Sequence, residues 1–282
     1  MNEYVEERDE LLDNWAASAA GWARQAERTR QDSLPVIEWM LAAADPRPGM
    51  TVVELAAGPG DLGFMAASKI RPGGQLICSD GVEAMVKVAE QRAEELGLRG
   101  IEFKQLQCEW IDLETASADL ILIKWGMMLL VDPLAAAKEC RRVLKPGGRL
   151  VLSVWDQPRR NEWTTLPSGV LSELGHLAPL QPGGPGMFAL ADEHKLRELL
   201  EEAGFFEIRL EPISLPRRFA SLSDWLGTVT DLSGNFRRAW SKLDNEQRAA
   251  VRAKLSSASA KFTAPDGSIT ACGSCLGAVA EA

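Results

Sequence analysis

Residues 52–63 read Val-Val-Glu54-Leu-Ala56-Ala-Gly58-Pro-Gly60-Asp-Leu-Gly63 and carry the first chemical signal in the chain. An apolar run passes into glycines and then into a helix-forming stretch. Glycine at such a turn lets the backbone approach a ligand where a Cβ would collide. Twenty residues beyond Gly60 stands Asp80, at the end of the next apolar run. A carboxylate there can accept both hydroxyl hydrogens of a ribose. The spacing Gly58-x-Gly60-x-x-Gly63 also matches the dinucleotide fingerprint, so spacing alone leaves an NAD(P)-dependent oxidoreductase open. Two features count against that. Tyr4 is the single tyrosine, which removes a Tyr-x-x-x-Lys couple. Glu54 would also meet a pyrophosphate with an unfavourable charge, whereas an ammonium or a sulfonium would be tolerated.

Groups able to move a proton are few. His176 is the candidate catalytic base, because it follows the fifth apolar run, near the expected pocket mouth; Glu109 and Asp112 are further candidates. His194 reads as a solvated helix residue. Cys272 and Cys275 are two thiols without nearby histidines, so no metal site is expected. Arg141-Arg142 and Arg159-Arg160 read as solvated charges. Nine tryptophans against one tyrosine is a skewed aromatic set. Trp15, Trp22, Trp125 and Trp225 are the candidate walls of an apolar or aromatic substrate pocket, the alternative being cap helices glued to the sheet. Met127 to Leu130 continue that wall or belong to the core.

The elements that must position these groups follow from periodicity. Leu11, Trp15, Ala19, Trp22 and Ala26 lie at helical spacing, and a second helix is expected over 34–44. After the break at residues 45–49, short apolar runs at 51–55, 75–79, 101–106, 119–124 and 149–155 alternate with helical patterns. This is the signature of a doubly wound α/β sheet. Residues 156–191 are rich in Pro and Gly and read as an irregular insertion. Asp192 caps a further helix, residues 205–215 read as a sixth strand, 222–262 as helical, and 269–280 as a final strand. The expected organisation is N-terminal cap helices (1–45), a cofactor-binding domain (46–215 and 266–282) and a helical cap (216–265) over the open end of the sheet, where such folds bind ligands.

Composition bounds the partners. The 282-residue chain is 46% hydrophobic and 25% charged, with a formal net charge of -9. That charge argues against nucleic acid and against an anionic membrane surface. Five cysteines and the absence of a secretory pattern point to a reduced, cytoplasmic setting. No apolar run is long enough for a membrane span. A small-molecule partner is expected; monomer and homodimer both remain open.

The segments Glu54-Leu-Ala56-Ala-Gly58-Pro-Gly60, Asp80 and Arg142-Val-Leu-Lys-Pro-Gly-Gly-Arg-Leu150 resemble the main motifs of class I S-adenosylmethionine-dependent methyltransferases. The likeness is strongest to the small-molecule group containing the ubiquinone/menaquinone biosynthesis methyltransferases. It covers roughly residues 35–156, and more loosely 188–207 and the end. The resemblance implies a Rossmann-like seven-stranded sheet with an antiparallel last strand, and S-adenosylmethionine as cofactor. It implies that Glu54 and the loop 56–60, including Ala56, Gly58 and Gly60, surround the methionine part. Asp80, with Gly81 beside it, would bind the ribose, and Met85 would pack on adenine. Gln107 and Cys108 would meet the adenine edge. Lys124 would offer its backbone carbonyl to the cofactor's amino group, and Trp125 would begin the acceptor pocket. Two positions depart from the family pattern. Ala56 adds a methyl where the amino-acid tail passes, and Gln107 replaces an acid. A non-catalytic protein that binds the same cofactor is a further reading.

Overall fold

Thr51–Leu55 (β1), Ala118–Lys124 (β4) and the second half, from Leu150, of Leu144–Trp155 (β5) are nearly continuous apolar runs, as expected of strands covered on both faces. The computed structural model describes residues 2–179 and 185–282. In it these strands form the centre of a seven-stranded sheet. Before β1 come the helices Asn2–Ala16 (α1), Ala19–Arg24 (α2) and Ala26–Ala44 (α3). After it, Asp61–Lys69 (α4) leads to Gln75–Asp80 (β2), and Glu83–Glu95 (α5) leads to Ile101–Gln105 (β3). Pro133–Val143 (α6) connects β4 to β5; Asp132 caps it by accepting from the Ala135 N–H, with Pro133 in the first turn. Beyond β5 lie Glu162–Glu173 (α7), Glu193–Glu202 (α8), Phe206–Ser214 (β6), Arg217–Phe219 (β7), Leu222–Leu232 (α9), Gly234–Ser241 (α10), Asn245–Ser259 (α11), Ile269–Ala271 (β8) and Ser274–Glu281 (β9).

The sheet order is β3-β2-β1-β4-β5-β9-β6. β1 pairs in parallel with β2 and with β4, so the strand order reverses between them. The crevice above that point is where open α/β sheets take ligands. β9 inserts between β5 and β6 and runs antiparallel to both, so the expected antiparallel last strand is present.

Three expectations need correction. Residues 156–191 are not wholly irregular. They contain α7, whose Trp163, Pro167, Val170 and Leu171 are buried at helical spacing; residues 180–184 of that insertion lie outside the described residues. Pro167 has no N–H to give the Trp163 carbonyl one turn back. That carbonyl instead accepts the indole N–H of Trp225 at 2.6 Å. The expected strand 269–280 is two strands, β8 and β9, broken at Cys272-Gly273. A Cβ on Gly273 would collide with the Leu215 carbonyl oxygen. β8 pairs with β7 in a separate two-stranded ribbon that periodicity did not disclose.

The N-terminal helices form a roof. Ala19, Val82 and Met85, with Leu12, Trp15 and Trp22 against them, make a small apolar cluster apart from the main core. The roof is also clamped by Arg8, whose guanidinium lies 4.6 Å over the exposed Trp110 ring. Among the described residues, no helix is long and apolar enough to cross a membrane.

Candidate active site

The turn after β1 is tied down from below. The Ala57 N–H donates to the Ser79 carbonyl at 2.9 Å and the Gly60 N–H to the Ala57 carbonyl at 3.0 Å. The path needs the left-handed region at Ala56 (φ 50°), Gly58 (φ 53°) and Gly60 (φ 84°). An alanine there carries a strain of roughly 1–2 kcal/mol, which explains why glycine suits this position. Its methyl sits against Gly126, where an added Cβ would lie 2.5 Å from the Ala56 Cβ. The two positions share one methyl-sized space. Gly126→Ala should therefore cost about 2 kcal/mol in urea unfolding through overpacking. Ala56→Gly in the same chain should recover most of it, and additive losses in the double variant would refute the coupling.

Asp80 closes β2 and faces the cavity. Its two carboxylate oxygens accept from the Gly58 and Val82 N–H groups, each at 3.0 Å. Burial pushes this carboxyl up from its ordinary value, opposed by the N–H groups of Gly58, Val82 and Gly81. Each oxygen keeps lone-pair capacity for a further donor. Gln107 spends its amide N–H on the Gly81 carbonyl at 3.1 Å, which leaves its own carbonyl oxygen available. Glu54 lies beneath the loop. It is 1% exposed, and burial pushes its carboxyl up to about 8, with Lys124, the Gly63 N–H and the Cys78 thiol working in the other direction. A Cβ on Gly63 would strike Glu54 Oε2, so this glycine makes room for a carboxyl rather than for a ligand. Asp61, in the first turn of α4, is also buried and takes Arg92 at 2.5 Å.

At the end of β4, Trp125 adopts φ 58°, an unusual conformation for a bulky residue and one that clusters at functional sites. Its ring stacks on Trp155 at 4.4 Å between centroids. The Lys124 ammonium lies 4.4 Å from the centre of the Trp125 ring. Burial lowers the Lys124 pKa from its ordinary value, while Asp61 and Glu54 pull it back.

These parts enclose one cavity with an empty volume of about 920 Å³, mouth included. Of the expected cofactor residues, Ala56, Gly58, Asp80, Gly81, Met85, Gln107, Cys108 and Lys124 line it. Glu54 and Gly60 do not; Glu54 lies beneath the loop, and Gly60 ends it at the start of α4. Of the expected substrate walls, Trp15, Trp22 and Trp125 line it, and Trp225 does not. Trp225 is fully buried, stacked on Phe219 at 5.3 Å, and glues the cap. His176 is also off the cavity wall. Its N–H closes the turn after α7 by donating to the Leu171 carbonyl at 2.8 Å. Glu109 lines the cavity and the exposed Asp112 does not. Met127 and Met128 are core, while Leu129 and Leu130 line the cavity. The Cys272 thiol donates to Glu162 Oε2 at 3.1 Å, and Cys275 is buried in β9. Two groups on the cavity wall escape a reading of the sequence: Arg8 and the Lys124 side chain. Arg8 follows the helical spacing of Leu11, Leu12 and Trp15, but nothing in that spacing says the helix folds over the sheet.

A family model described as a methyltransferase domain matches residues 46–204. The chain belongs to this methyltransferase family. The resemblance to S-adenosylmethionine-dependent methyltransferases drawn from its motifs therefore holds. The methyltransferase is 29% identical to the nocamycin O-methyltransferase of Saccharothrix syringae over 78% of this chain and 81% of that one. It is also 29% identical to the ubiquinone/menaquinone biosynthesis C-methyltransferase UbiE of Shewanella halifaxensis, over 60% of this chain and 71% of that one. Its fold resembles the YcgJ protein of Bacillus subtilis, with a TM-score of 0.59 at 19% identity, over 87% of the methyltransferase and 97% of that chain.

Proposed function

We propose that this methyltransferase moves a methyl group from S-adenosylmethionine to a small, apolar or aromatic metabolite by in-line displacement. The observation that carries the reading is the joining of two half-sites in one cavity. One half is the glycine loop with Asp80 and Gln107; the other is the tryptophan wall under the N-terminal roof.

The residues fit an adenosyl group. The two Asp80 oxygens suit a pair of ribose hydroxyls, the Gln107 carbonyl suits an exocyclic amine, and Met85 and Cys108 offer apolar surface to a flat base. A dinucleotide fits less well. Its pyrophosphate needs the N-terminus of α4, and there Asp61 and Glu54 already place two acids. When bound, the sulfonium supplies an activated methyl whose leaving group departs neutral, so no general acid is needed. The protein supplies proximity and alignment, worth up to roughly 7–11 kcal/mol in favourable cases, and a water-poor enclosure. Residues 1–45 and 216–265 serve as caps over the sheet formed by 46–215 and 266–282. The same reading has the enzyme act in the cytoplasm, as a monomer or homodimer, without nucleic acid. Its free thiols and net charge of -9 support that. The names of two relatives, an O-methyltransferase and a C-methyltransferase, support an oxygen or a carbon acceptor.

Thermal unfolding tests the reading. S-adenosylhomocysteine at about 100 times its dissociation constant should stabilise the protein by about 2.7 kcal/mol, and NAD should leave the melting temperature unchanged. Stabilisation by NAD alone would transfer the site to the oxidoreductase class.

A further inference from the structure

One cation on the cavity wall stands without a hydrogen-bonded or ion-paired partner among the described residues. Lys124 lines the cavity, and its ammonium makes no hydrogen bond and no ion pair within 4 Å among the described residues; it lies 4.4 Å from the centre of the Trp125 ring, and the buried Asp61 and Glu54 carboxyls act on it only from beyond contact distance. A donor left unmatched away from water is costly, the more so when it is charged. The acids on the wall, Asp80 and Glu109, belong to the β2 and β3 side, where the nucleoside is expected. Asp80 is held there by two backbone N–H groups. Arg8 is held near the roof over Trp110. Lys124 is therefore the one lining cation rooted at the end of β4, beside the loop that would carry the cofactor's tail. A sulfonium bound on that loop would add a second positive charge to the same enclosure. An anion between the two is the arrangement of lowest electrostatic energy, and low dielectric strengthens that preference.

We propose that Lys124 is the anion-binding residue of the acceptor pocket, and that the methyl acceptor is an aromatic or apolar molecule presenting an ionised oxygen: a carboxylate, enolate or phenolate. The proposal rests on the methyl-transfer reading above and deepens it. A lone pair of the acceptor oxygen forms the bond to the methyl carbon as the carbon–sulfur bond breaks and its electrons pass to sulfur. The anion becomes a neutral ether or ester, the sulfonium becomes a neutral thioether, and no proton moves in that step. For a phenol or enol, the Lys124 charge raises the fraction already ionised before transfer, so the enzyme needs no histidine on the cavity wall. The tryptophans supply the flat apolar surface against which such an acceptor packs. Burial lowers the Lys124 pKa, and an anion held against the amine restores its charge.

Calorimetric titration of the protein saturated with S-adenosylhomocysteine tests this with two probes of one shape, 2-naphthoate and 2-naphthamide. The wild type should bind the carboxylate at least about tenfold more tightly than the amide, the scale of one charge-assisted contact. Lys124→Met should bring that ratio close to one, and Lys124→Arg, which keeps the charge, should retain a preference. Equal affinities in the wild type overturn the proposal, as does weak binding of both probes without preference. A ratio that survives Lys124→Met overturns it too, even if S-adenosylhomocysteine binding falls, because Lys124 then serves the cofactor. Should Lys124→Met fail to fold, loss of the preference in Lys124→Arg would count against the charge as its source. Absence of S-adenosylhomocysteine binding to the wild type sinks the methyl-transfer reading itself, and is distinct from a complex that forms without naphthoate preference.

Discussion

Asp80→Ala should weaken S-adenosylhomocysteine binding by about 3 kcal/mol, a factor of roughly 150. Two effects add. The variant removes the carboxylate that would accept both ribose hydroxyls, and hydrogen bonds to a charged acceptor contribute about 1.5–3 kcal/mol each. It also releases the Gly58 and Val82 N–H groups, whose 3.0 Å bonds to this carboxylate set the loop above β2. Asp80→Asn separates the two. Its single carbonyl can serve one of those partners, so an intermediate loss is expected. Calorimetry with S-adenosylhomocysteine and with adenosine checks the assignment. Both ligands carry the ribose, so both should weaken by the same factor. A loss confined to S-adenosylhomocysteine would move Asp80 away from the sugar.

Glu54→Gln should make the protein more stable than the wild type at pH 8 and little different at pH 4.5. In the folded chain the Glu54 carboxyl, pushed up to about 8 mainly by burial, keeps its proton where an unfolded chain, near 4.5, has released it. Between those values the unfolded state binds fewer protons. Stability therefore falls as pH rises through the window and levels off above about 8. The size is on the order of a few kcal/mol, since a tenfold change in proton affinity corresponds to about 1.4 kcal/mol. Lys124 acts in the opposite sense, because burial lowers its pKa and charging it in the folded state costs energy. The comparison of variant with wild type isolates the Glu54 share. Glutamine keeps the shape and an acceptor for the Gly63 N–H, without the titration. Urea midpoints between pH 4.5 and 8.5 give the answer, and parallel curves for the two proteins would mean that Glu54 is ionised and stabilised beneath the loop.

The fold was legible wherever local pattern and tertiary role coincide. The buried parallel strands β1, β2, β4 and β5 are apolar runs ended by turn residues, and Asp132 and Asp192 announced helices that their side chains do cap. The pattern failed at α7, where Pro167 and Gly169 outweighed a buried face at helical spacing. What makes a proline tolerable there is the Trp225 indole filling the Trp163 carbonyl, a contact across 62 positions of sequence. It failed again at β8 and β9, which read as one strand because the break at Gly273 is imposed by the Leu215 backbone of another element. In the site, the glycine loop, Asp80 and the roof tryptophans could be named from their spacing, and Gln107 from the family resemblance. Trp225 and His176 could not be excluded by spacing, since tryptophan serves cap and pocket equally and a histidine after β5 has no marked direction.

The order of strands and helices, the turn that requires a left-handed backbone and the carboxylate placed one strand later are properties of short windows, in which steric freedom and periodic burial act over a few residues. The amino-acid order determined these. Which surfaces meet was decided only by folding in three dimensions. The Ala56 methyl finds its space against Gly126, Glu54 turns under the loop instead of into the cavity, and the Lys124 amine ends over the Trp125 ring with no hydrogen-bonded or ion-paired partner among the described residues. Each of these depends on atoms brought together from distant segments, and the energies involved (excluded volume, desolvation, unmatched charge) exist only once those segments are packed.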